Sequence, residues 1–329
     1  MIDLELADVS RRVVEDLMST TPDEEVLVVS DPTKVPVGRA LTAAARGLGA
    51  DAHLLVMPQL DSHGNEPTGT VAAAMKASDV LFTATTHAIT HTRARLAATE
   101  SGTRTAILRG VTEEMMVEGG MSTDFEALRE TTTAVRDVLD AAESAHVTSP
   151  AGTDVWMDLT GRSAFSLDGY YHDNYGFATL PPGESPTSPA EGTAEGTVVI
   201  DYSMDNIGRL DEPIELAFEE GYVTGVTGGA DADRLRAIIE DADEHAGNMA
   251  EFAIGTNPDA RLIGNLAEDK KLAGTVHFAV GDNESLGGSV RSDIHLDGLV
   301  LDPTVRLDDE VVVEDGELLT DRIRALAGR

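Results

Sequence analysis

Within the stretch GTVHFAVGDNESLGGSVRSDIHLDG, from Gly274 to Gly298, stand three side chains with good metal-ligand chemistry: His277, His295 and Asp297. Imidazole and carboxylate together suit Zn, Mn, Co or Fe(II). Around them GTVHFAV and SDIHLDGLVLD alternate small, β-branched and aromatic residues on either side of a Gly-rich turn, which predicts two strands. Alternation at period two puts His295 and Asp297 on one strand face and Ile294 and Leu296 on the other. Side chains so related lie about 6–7 Å apart, a span that one or two metal ions can bridge. A lone His-x-Asp on a hairpin is most often a surface feature. A further histidine on the partner strand and two glutamates upstream set this one apart.

Glu184 lies in LPPGESP, where prolines and a glycine stiffen a loop just ahead of a strand. A carboxylate on a pre-ordered loop loses little entropy on ligating a metal. Glu251 lies in NMAEFAIG, among apolar residues just after a helix. An unpaired carboxylate is costly there, so a cation or a metal is expected beside it.

A framework that can position such a set is predicted along the chain. Val9, Val13, Val14 and Leu17 recur at helical spacing and predict a helix over 8–18. EEVLVVSD, 24–31, reads as a strand buried on both faces. A helix over 37–48 stopped by Gly49, the strand DAHLLVMP, a helix over 68–77, the strand ASDVLFTAT, a helix over 90–99 and the strand TRTAILRG follow. That order predicts a parallel α/β unit closed by a helix over 124–144. No G-x-G-x-x-G or P-loop pattern follows the first strand, which argues against a dinucleotide site. His87 and His91, four apart after the third strand, can share a helix face as ligands or face a substrate crevice at the strand's carboxyl end. From Gly152 onward, short alternating segments separated by Gly, Pro and Asn predict a β-rich region. Helices over 231–245 and 265–272 interrupt it, and a hairpin turning at Glu314-Asp315-Gly316 ends it. The expected fold class is α/β: an N-terminal doubly wound parallel α/β domain, 1–150, then a larger β-rich α+β metal-binding domain, 151–329.

The absence of cysteine among 329 residues excludes disulfides, thiolate ligands and a thiol nucleophile. The N-terminus has no basic stretch leading into an apolar run, and no segment has membrane-spanning length, so a soluble cytoplasmic protein is expected. Lys+Arg number 24 against Asp+Glu 59, a net charge of −35, and the only lysines are Lys34, Lys76, Lys270 and Lys271. Self-repulsion of that size is relieved by molar salt, where the screening length falls to about 3 Å. The acidity therefore reads as salt adaptation, and it argues against a nucleic-acid partner.

LPPGE with AEGTAEGTVVID, then AEFAIGTNP, GTVHFAVGDNESLGG and SDIHLDG, resemble the ordered motifs of the M29 metalloaminopeptidases, the aminopeptidase T type. The resemblance covers the C-terminal half; the N-terminal half, including THAITHTRARLAA, is similar in general character. It implies an N-terminal α/β domain, a metal-carrying C-terminal domain and a homodimer. It also implies that Glu184, Glu251, His277, His295 and Asp297 hold two divalent ions (Zn, Co or Mn), with Glu251 bridging. A water shared by two such ions can attack the peptide bond of a small peptide substrate. Glu184, Glu251 or Glu284 would accept its proton. Glu284 stands seven residues after the first histidine, where the family carries a metal-site tyrosine. Pro182 and the short segment between His277 and His295 are further departures.

Ring-cleaving dioxygenases of the 2,5-dihydroxypyridine type are similar in fold and give the alternative. There His277, His295 and Asp297 would hold a single Fe(II), leaving positions open for O2 and a diol. Tyr170, Tyr171 and His172 of DGYYHDNYG would contact an aromatic substrate, and Tyr171, His172, His87 and His91 are the substrate-binding candidates. A relative that binds without catalysis is the third reading. The aminopeptidase is the expectation, because Glu184 and Glu251 together favour two metals.

Overall fold

The apolar run ahead of Asp31 forms the strand Glu25–Ser30, paired in parallel with Asp51–Val56 on one side and Val80–Thr85 on the other. A central parallel strand is covered on both faces, which is why Val26, Val28 and Val29 are all buried and no alternation shows. Arg104–Arg109 and the short strand Phe177–Thr179 extend this sheet to five strands. The helix Val35–Leu48 carries Pro36 in its first turn, where a missing N–H costs nothing, and stops at Gly49 in the left-handed region. The first helix, Ile2–Arg12, begins earlier than its apolar spacing predicts and runs on as a π turn, Val13–Leu17.

The computed structural model describes residues 2–90 and 92–328, apart from the side chains of Ile2 and Asp3. It divides into two units, Met1–Phe125 with Leu167–Pro182, and Glu126–Ser166 with Gly183–Arg329. The division is not the single cut at 150 expected from the change in texture. The helix Phe125–Ala141 falls almost wholly in the second unit, and Phe177–Thr179 returns to the parallel sheet of the first.

The second unit holds two antiparallel sheets. One has eight strands, from Tyr222–Thr227 at one edge to Glu317–Leu318 at the other. The other has six, in the order Gly208–Arg209, Ser203–Met204, His295–Val300, Val276–Gly281, Met249–Gly255, Glu184–Thr187. The strand period of two sorts the residues of this six-stranded sheet. Phe252, Ile254, Val276, Phe278, Val280, Leu296 and Val300 enter a common core with Val198, Ile200, Leu216 and Phe218 of the larger sheet. Glu251, His277, His295 and Asp297 are the alternate residues of the same strands, so the core of one face fixes the direction of the chemistry on the other. Gly298 permits a close approach: a Cβ there would meet Ile200 Cδ1 at 2.6 Å.

Candidate metal centre

Strand register brings the donors into rows. Glu251 pairs with Ala279, and Ala279 with Asp297, so the two carboxylates flank an alanine from opposite sides. His277 is two residues from Ala279 on the same face, and His295 pairs with Gly281. Glu184 opens the edge strand opposite Gly255, rather than sitting in the loop before it. That edge is tight: Gly183 has φ +112°, and a Cβ there would meet the Cβ of Asn257 at 2.5 Å.

The side chains converge. His277 Nε2 is 3.0 Å from Glu251 Oε1, and His295 Nε2 is 3.1 Å from Glu251 Oε2 and 3.2 Å from Asp297 Oδ1. His277 is fully buried, and Glu184, Glu251 and Asp297 are each no more than 5% exposed. Glu251, His295 and Asp297 each offer a ligand atom within 4.8 Å of the others, a group that can hold one metal ion. His295 is pre-oriented for that role. Its Nδ1 lies 2.7 Å from the carbonyl oxygen of Asp282, which can only accept, so Nδ1 carries the proton and Nε2 faces the carboxylates. His277 Nδ1 is buried and has no such partner among the described residues.

Two lysines enter the same cluster. The short helix Leu266–Asp269 is capped by Asn265 and pinned by its own acids: Glu268 accepts from the backbone and guanidinium of Arg261, Asp269 from Ser203 and the backbone of Ile263 and Gly264. Lys270 and Lys271 follow at its carboxyl end, where the helix dipole favours cations. Lys271 pairs with Glu184 Oε1, while Lys270 Nζ lies 2.8 Å from Asp297 Oδ2 and 3.3 Å from Glu184 Oε2.

These charges settle one another. Burial pushes the Glu184 carboxyl upward, but Lys270, Lys271 and His277 outweigh it and hold the group below the ordinary range. Burial and the Asp297 charge act the same way on Glu251, and hydrogen bonds from His277 and His295 bring it down. Asp297 is held well below its usual value by Lys270 and His295 against the effect of burial. Burial lowers His295, yet Asp297 and Glu251 raise it well above an ordinary imidazole. Imidazole and carboxylate donors aimed at one point, held anionic where they are acidic, fit a divalent cation.

Glu284 is exposed on the short 3-10 turn Glu284–Leu286, which leaves the sheet after Gly281, and it is not among the residues brought together. His87, Tyr171 and His172 belong to the first unit, whereas all five expected ligands belong to the second. His87 lies ahead of the helix Arg93–Glu100, not on it, and meets the ring of His63 edge-on at 5.0 Å. His91 lies outside the described residues. His172 Nε2 pairs with Asp168 at 3.0 Å, and Tyr171 is half-buried, which raises its hydroxyl pKa. The lysines were missed. Adjacent Lys270 and Lys271 in a chain with so few lysines were the available signal. Among the described residues no helix is long and apolar enough to cross a membrane.

The chain is 28% identical over 319 residues to 2,5-dihydroxypyridine 5,6-dioxygenase of Pseudomonas putida KT2440, covering 88% of each chain. The solved structure of 2,5-dihydroxypyridine dioxygenase from that organism matches with a TM-score of 0.81 at 23% identity, over 98% of this chain and 99% of the other. AmpT from Thermus thermophilus matches with a TM-score of 0.72 at 17% identity, over 97% and 100%. At those identities the two structures bear on the fold alone, and they agree with the mixed α/β architecture expected of an M29-like chain. The expected aminopeptidase, and hydrolase chemistry with it, is overturned by the family match and the curated relative. A pair of divalent ions loses its support at the same time, leaving a group fit for one. The sequence model for 2,5-dihydroxypyridine 5,6-dioxygenase (NicX) matches residues 6–320, and the chain belongs to that family.

Proposed function

We propose that this enzyme is a mononuclear Fe(II)-dependent dioxygenase that opens the ring of a dihydroxylated pyridine, with 2,5-dihydroxypyridine as the first substrate to test. The observation that carries the reading is the three-donor group Glu251, His295 and Asp297, in a chain matched to a dioxygenase family from residue 6 to residue 320. His277 is next in reach, across Glu251. Nitrogen and oxygen donors without a thiolate suit Fe(II), and few protein donors leave positions for other ligands. Bound Fe(II) would supply the one-electron chemistry that lets dioxygen react with a hydroxylated ring.

The chain's own residues prepare that centre. His295, committed through Nδ1 to the Asp282 carbonyl, presents Nε2 at a fixed angle. Glu251 and Asp297 offset the charge of the dication. Lys270 engages Oδ2 of Asp297 and leaves Oδ1 turned toward His295. Burial of Glu251 and Asp297 keeps bulk water off the donors.

The test is oxygen uptake by protein loaded anaerobically with Fe(II) in molar salt and then given dihydroxypyridines. Both oxygen atoms enter the product and no external reductant is used, so about one O2 should disappear per ring lost. Iron-loaded, folded protein that consumes no oxygen with any dihydroxypyridine would overturn the proposal.

A further inference from the structure

Lys270 does more than neutralise a neighbour. Its Nζ lies 2.8 Å from Asp297 Oδ2, 3.3 Å from Glu184 Oε2 and 3.5 Å from His277 Nε2. Two carboxylates and an imidazole around one point are a ligand set for a divalent ion. The ammonium hydrogen-bonds the Asp297 carboxylate and pairs with Glu184, with the His277 ring alongside. Next to the three-donor group Glu251, His295 and Asp297, it thus stands among Glu184, His277 and Asp297, and the two places share Asp297.

We propose that the Lys270 ammonium permanently occupies the second of these places and thereby fixes the centre at one divalent metal. Charge bookkeeping agrees. Glu184, Glu251 and Asp297 bring three negative charges into a buried site, and Lys270 and Lys271 return two. The one left over suits a single dication, whereas two dications beside two ammonium groups would leave a large uncompensated positive charge. Glu184, which pairs with both lysines, is on this view their anchor rather than a metal ligand. The pinned helix Leu266–Asp269 keeps the ammonium from swinging out. The inference rests on the metal-dependent reading above, but it concerns the number of ions and not the reaction.

Equilibrium dialysis against Mn(II) or Co(II), with metal counted per chain, tests it on the wild-type protein and on Lys270→Ala and Lys270→Gln. The wild type should saturate at about one ion and the variants at about two. Mn(II) electron paramagnetic resonance should show isolated ions in the wild type and spin-coupled pairs in the variants. A coupled pair in the wild type overturns the inference while leaving a metal enzyme in place, and this arm needs no variant to fold. Folded variants that still stop at one ion overturn it too. A wild type that binds no metal removes both this inference and the metal-dependent function.

Discussion

The imidazole of His295 donates its Nδ1 proton to the backbone carbonyl of Asp282 at 2.7 Å, and this single bond decides which nitrogen the cluster receives. A histidine that delivers Nε2 by a fixed tautomer is a better ligand than one that must be turned, and losing such an arrangement commonly weakens metal binding 10–100-fold. Removing the ring altogether goes further. His295→Ala should abolish stoichiometric metal binding, while circular dichroism in high salt stays that of the wild type. The wild type should gain thermal stability on adding metal and the variant none. A variant that keeps both metal and stability gain would remove His295 from the site.

Ala279 stands between Glu251 and Asp297 in the strand register, and those two backbones are about 10 Å apart across it. The carboxylates meet only by reaching over a methyl group. Ala279→Val should therefore weaken metal binding at least roughly tenfold and cost about 1–3 kcal/mol by overpacking. Ala279→Gly should keep the metal and lose about 1 kcal/mol in backbone entropy. Dialysis and urea unfolding separate the two effects. Equal metal affinity in all three proteins would show that the space over Ala279 is not used.

Asp201 offers a prediction in pH. Burial, with a smaller push from Asp302, raises its pKa to about 6, although its Oδ1 accepts from the Leu301 N–H at 2.9 Å. An unfolded aspartate titrates near 3.9. The folded state thus binds the proton more tightly. The stability this brings is complete below about pH 4 and is lost as pH rises through about 6. Asp201→Asn keeps an acceptor for Leu301 and carries no charge. It should be more stable than the wild type at pH 8, by about 1–2 kcal/mol after allowance for solvent screening, and equal to it at pH 4. Chemical unfolding at the two pH values checks this, and a variant less stable at pH 8 would contradict it.

With a formal charge of −35, the chain should gain several degrees in unfolding temperature between 0.1 M and 2 M salt, equally with NaCl and KCl. Scanning fluorimetry is sufficient. A flat or falling curve would show that the acidic side chains do not limit stability.

Much of this site was legible in the sequence because strand periodicity is a local property. Alternation around His295-Leu296-Asp297 gave the shared face, and the apolar setting of Glu251 demanded partners that proved to be His277 and His295. The lysine among the donors was not legible: five donors in the right order look the same with or without it, and only coordinates place Lys270 Nζ between Asp297 and Glu184. Glu284 misled for the opposite reason: its position in the motif pointed inward, while the turn that carries it faces solvent. The fifth parallel strand, Phe177–Thr179, escaped notice because three residues carry no periodicity, and its pairing partner is some seventy positions upstream.

That strand has a consequence for how the chain can be handled and inherited. The backbone passes from one unit to the other after Phe125, back after Ser166, and across again after Pro182. Neither unit is an uninterrupted length of sequence, so no single cut yields two whole fragments. A nick or truncation near residue 150 would leave the parallel sheet without its edge and strip the β-rich unit of its opening helix and first strand. A gene fusion that traded one unit for a foreign one would need three simultaneous junctions. The two are bound to travel together.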